Sequence, residues 1–100
     1  MYESKKDAEV YGRTLFGAAI FNAALPVKII ADIIGVKRQT VYGWIKGGKD
    51  ISYSHGIACD TITAIINKGI AQGIFPALNS KTAKEWLQEQ YDKTLDINVD

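Results

Sequence analysis

An all-α fold of about five helices is what this chain predicts, and three observations predict it. Apolar residues recur at three- and four-residue spacing along each long segment, the pattern of a helix with one buried face. Glycine, proline and serine fall between those segments, where helices start and stop. With 100 residues and 47% hydrophobic content, the chain suits one domain with a true but small core. That domain is expected to occupy 1–94, leaving 95–100 (LDINVD) as a short flexible tail with little to bury. No internal repeat or low-complexity tract interrupts it.

The first helix is predicted from about Lys5 to Ala24. Ala8, Tyr11, Leu15 and Ala18 recur along it, with Val10, Thr14, Phe21 and Ala24 beside them. Gly12 and Gly17 lower its propensity but, with the alanines, let another helix approach closely. Pro26 marks the break. A second helix covers Val27 to Ile34, with Ile30, Ala31, Ile33 and Ile34 inward and Lys28 and Asp32 on the wet side. Gly35 is placed to close it. The third helix runs from about Arg38 to Ile45 or Lys46, turns Val41, Trp44 and Ile45 inward, and stops at Gly47 and Gly48.

After a short connection, Ser54 is placed to cap a fourth helix reaching about Gln72, which carries Ile57, Ala58, Ile62, Ile65, Ile66 and Ile70. The segment GIFPALNS then connects onward, with Phe75 and Leu78 as expected anchors. Ser80 is placed to cap a fifth helix, Lys81 to Lys93, with Ala83, Trp86, Leu87, Gln90 and Tyr91 on or beside one face. The first and fourth helices are expected to pack behind the second and third.

Several classes of function find no support in the residues. No apolar run approaches the roughly 18–20 residues of a membrane-spanning helix, and LFGAAIFNAAL is interrupted by Asn22. No export cleavage pattern is convincing, so a cytoplasmic location is expected. Cys59 is the only cysteine, so it forms no internal disulfide and, with His55 alone, no four-ligand zinc site. Catalytic triads, paired acids, HExxH and phosphate-binding glycine loops are all missing. No enzyme, cofactor or metal is therefore expected.

Charge is more informative than its total. The net value of +1 hides a basic segment, Val27 to Lys49, in which Lys28, Lys37, Arg38, Lys46 and Lys49 face the single acid Asp32, a surplus of +4. From Lys81 to Asp100, three basic and five acidic residues leave −2. Such a local surplus points to a polyanion, although a merely solvated face carries the same pattern.

The basic segment includes VKIIADIIGVKRQTVYGWIK, Val27 to Lys46, which resembles the helix-turn-helix of bacterial and phage repressors and Cro-like proteins. Ala31 matches the small residue where the two helices cross, Gly35 the glycine of the turn, and Val36 the apolar plug beneath it. Ile30 and Ile34 match the buried positions of the first helix, Val41 and Trp44 those of the second. The resemblance covers about a fifth of the chain. It implies a helix-turn-helix formed by helices two and three, with the outward face of the latter entering a DNA major groove.

On that face Arg38, Gln39, Thr40 and Tyr42 are the expected contacts to base edges. Gln39 suits adenine bidentately and Arg38 suits guanine or a phosphate; the Thr40 and Tyr42 hydroxyls also suit phosphate, and Thr40 alternatively a thymine methyl. Lys28, Lys37, Lys46 and Lys49 are the expected phosphate contacts. Two residues depart from the pattern. Lys37 replaces the usual serine or threonine cap, at about 1 kcal/mol, and Gly43 sits inside the recognition helix at roughly the same cost. Gly43 suits either close approach to DNA or a packing need.

The implied function is sequence-specific binding of double-stranded DNA by a transcriptional regulator, an operator-occupying repressor, and the implied location is at the nucleoid. The alternatives are a DNA-packaging or recombination accessory protein, and a module whose helix face meets a protein partner. A homodimer is expected, because two-fold pairing sets two recognition helices on a palindromic site. The C-terminal helix, mildly acidic and away from the basic segment, is its expected interface.

Overall fold

Six α-helices and no strand account for the residues described by the computed structural model, which are 5–47 and 51–99, with side chains from 8 to 47 and 51 to 94. They are α1 (Lys5–Tyr11), α2 (Leu15–Asn22), α3 (Val27–Ile34), α4 (Arg38–Lys46), α5 (Tyr53–Ala71) and α6 (Ser80–Val99). The fold class is all-α as expected; the count rises from about five to six because the expected first helix is two.

Thr14 makes that break. Its backbone is extended, at φ −133° and ψ 156°, and its Oγ1 accepts the Gly17 N–H at 2.9 Å, which caps α2. Breaking the helix resets its phase. Phe16, Ala19, Ile20 and Ala23 therefore form the buried face, while Leu15, expected on the apolar face, is 83% exposed. The α2 end is also specific: Ala24 stands at φ 53°, the Leu25 N–H donates to the Ile20 carbonyl and the Ala24 N–H to that of Phe21. This is the left-handed helix ending usually built with glycine.

Caps correct two further boundaries. Ser52 Oγ, rather than Ser54, accepts the His55 N–H at 3.3 Å and opens α5. Asn79 Oδ1, rather than Ser80, accepts the Thr82 N–H at 2.8 Å and opens α6. In the connection between them Phe75 is buried against Trp86, with ring centroids 5.3 Å apart, but Leu78 is fully exposed and anchors nothing. The α6 backbone stays helical to Val99, through positions expected to be a tail. No glycine or proline follows Ser80 to stop it, and Glu89–Lys93 (3.1 Å) and Gln88–Asp92 (3.0 Å) bridge successive turns.

The core gathers Ile20, Leu25, Ile30, Val41, Ile45, Ile62, Ile66 and Leu87, all essentially inaccessible. α2 lies along α5, α1 and α2 pack on α4, and α6 packs on both α5 and α3. Behind α4 stand the first two helices, with α5 touching it through His55 on Trp44, as expected for the first and fourth helices; the packing of the last helix on α3 is an addition to that expectation.

Candidate nucleic-acid interface

The α3–α4 corner is set by backbone chemistry at Gly35. Its φ of 86° turns the chain out of α3, and the Gly35 and Val36 N–H groups both donate to the Ala31 carbonyl, at 2.8 and 3.0 Å. Ile30 and Ala31 are buried, while Ile34 and Val36 are half-buried and pack against the core. Lys37 then takes extended backbone as the N-cap of α4 and supplies no side-chain capping bond. The Thr40 and Val41 N–H groups both donate to the Lys37 carbonyl, at 3.0 and 3.3 Å, so of the first-turn donors those of Arg38 and Gln39 are the ones that suit an incoming anion.

α4 is anchored by its inner face, which fixes where its outer face points. Val41 and Ile45 are wholly buried. Trp44 is 5% exposed and sits between Phe16, at 6.4 Å and 63° between rings, and His55, at 5.1 Å and 44°. It is core, not a platform for stacking bases. Gly43 is half-buried and Gly47 ends the helix at φ 75°.

On the outer side a concavity of about 560 Å³ is lined by Lys28, Ala31, Asp32 and Val36 and, from the start of α4, by Lys37, Arg38, Gln39 and Tyr42. Five of the expected DNA contacts thereby share one surface: Lys28, Lys37, Arg38, Gln39 and Tyr42. Thr40 is half-buried and lies outside the lining, which sets it apart from the other expected base contacts. Lys46 is exposed a turn beyond Tyr42, while Lys49 lies outside the described residues. Lys84, which no sequence pattern singles out, reaches this rim from α6: its Nζ lies 3.4 Å from Asp32 Oδ2. The two are 52 positions apart and Lys84 belongs to an acidic segment, so only the folded chain reveals the pair.

The chemistry elsewhere is sparse. Among the described residues no group of three or more His, Cys, Asp or Glu side chains is placed to hold a metal. Cys59 is buried in α5, and burial, reinforced by Asp60, pushes its thiol up to about 11, so it stays protonated at neutral pH. Burial also raises the Tyr91 phenol, with Cys59 and Asp92 adding to the effect. No described helix is long and apolar enough to cross a membrane.

The apolar face of α6 is already used inside the domain: Ala83, Leu87 and Tyr91 are buried and Trp86 is half-buried. Large exposed apolar side chains among the described residues lie instead at Leu15, Tyr42, Ile51, Tyr53, Ile57 and Leu78. Comparison of the chain with protein-family models, with curated proteins and with solved structures gives no match.

Proposed function

We propose that α3 and α4 form a helix-turn-helix, and that the protein is a sequence-specific double-stranded DNA-binding regulator that occupies an operator and represses transcription. One observation carries this reading: a single concavity gathers Lys28, Lys37, Arg38, Gln39 and Tyr42, while the opposite side of the same short helix is locked into the core by Val41, Trp44 and Ile45. Rigid anchorage beneath an exposed basic and amide-bearing face is what base reading needs.

In the complex α4 enters the major groove. Arg38 pairs with guanine O6 and N7, and Gln39 with adenine N6 and N7, each worth about 1–3 kcal/mol of discrimination. Lys28, Lys37 and Lys46 meet phosphates and set register, and the Tyr42 hydroxyl adds a polar contact. A homodimer on a palindrome places two copies of α4 roughly 34–36 Å apart.

Selection from a random double-stranded library at physiological salt tests this, run beside the Arg38→Ala/Gln39→Ala variant. A short palindrome enriched by the native chain and lost by the variant is the expected result. Salt-sensitive binding with no enriched motif refutes base reading and favours a packaging or architectural role. No binding at all refutes DNA as the ligand.

A further inference from the structure

Asp32 is the acid among the residues lining the basic concavity, one helical turn after Lys28 on α3. An uncompensated carboxylate there repels the phosphates that Lys28, Lys37 and Arg38 attract. Physiological salt does not remove that repulsion, since the screening length of about 8 Å is comparable to the spacing of neighbouring charges on such a face. Among the described residues the ion pair of Asp32 is with Lys84 on α6, at 3.4 Å, rather than with Lys28 on its own helix. The two side chains are 43% and 47% exposed, so the pair sits at the wet rim, where it adds little to stability. Its position beside the concavity suits a different task.

We propose that Lys84 is a positioning residue for nucleic-acid binding. It holds the Asp32 carboxylate toward α6 and offsets its charge, leaving Lys28 and Lys37 to take phosphate and Arg38 to read its base. α6 thereby becomes part of the interface although it contributes no base contact. The inference rests on the DNA reading above and deepens it.

A double-mutant cycle on a mixed-sequence duplex, long enough for two half-sites, tests it by fluorescence anisotropy across a salt series. Lys84→Ala is expected to weaken binding about three- to tenfold, Lys84→Arg to keep native affinity, and Asp32→Asn to tighten binding about threefold. In the Asp32→Asn background, Lys84→Ala should have almost no effect, and the salt slope should stay near the native one. All variants should melt with the native chain, because both side chains are exposed.

An equal loss in both backgrounds, with the slope reduced by about 0.9, makes Lys84 itself a phosphate contact and overturns the role through Asp32. No loss in either background overturns it too. If the unsubstituted chain binds no duplex at any salt, the DNA reading fails first and takes this inference with it.

Discussion

Two glycines with similar room around them should respond to alanine with opposite signs. At Gly35 an added Cβ meets nothing within 4 Å, so sterics between side chains play no part, but φ is 86°. Holding an L-residue in the left-handed region costs about 1–2 kcal/mol. Removing glycine's freedom from the unfolded chain returns roughly 0.4–1 kcal/mol. Gly35→Ala should therefore destabilise by about 1 kcal/mol, or about 4–8 °C of Tm for a domain of this size. Gly35→Asn, whose side chain tolerates that conformation better, should lose less. At Gly56, inside α5, the nearest atom to an added Cβ is Ile51 Cγ2 at 4.0 Å, an ordinary contact. Gly56→Ala should stabilise by about 0.5–1 kcal/mol through helix propensity alone. Thermal melts followed by far-UV circular dichroism, with urea titrations alongside, read both. A Gly35→Ala variant that melts at or above the native temperature refutes the account of the corner, and with it the assignment of α4's angle to the left-handed turn.

Three other substitutions or titrations follow from named contacts. At Gly69 an alanine Cβ would lie 2.5 Å from Phe75 Cδ2 and 3.0 Å from Trp86 Cζ3, so Gly69→Ala should destabilise by about 1–3 kcal/mol despite its better helix propensity; an unchanged urea midpoint refutes this. Ala24 occupies φ 53° and is exposed, so Ala24→Gly should be neutral or stabilise by up to about 1 kcal/mol, and a lower Tm would count against the strained ending of α2. The Cys59 thiol, raised from 9.0 to about 11, should react with a thiol reagent at pH 8 far more slowly in the native chain than in urea. The sign for stability follows from the same shift: the unfolded chain releases this proton first, so the contribution is full below about pH 9 and is lost as pH rises toward about 11. Melts that show no fall across that window would contradict it.

What the sequence made legible and what it did not divide along one physical line, between local and non-local causes. Helices α3 and α4 lie where they were expected, because each is bounded by its own local signals: Pro26 before, Gly35 between, Gly47 after. The burial of Ile30, Ala31, Val41 and Trp44 followed from their spacing alone. Periodicity failed at Thr14, where one side-chain hydrogen bond to Gly17 outweighed a continuous apolar pattern and turned Leu15 to solvent. It failed again at Leu78, since a residue in a connection has no periodicity to read and Phe75 had already filled the space beside Trp86. Serine caps were misplaced by short distances because Ser52, Ser54, Asn79 and Ser80 are all competent acceptors, and only the backbone path chooses among them. The Asp32–Lys84 pair lay wholly beyond reach, for it is made by packing α6 on α3. That same packing places an acidic helix beside the basic concavity. Such an arrangement costs affinity for a polyanion unless the nearest contact is a cation, and here the α6 side chain paired with the concavity's acid is a lysine.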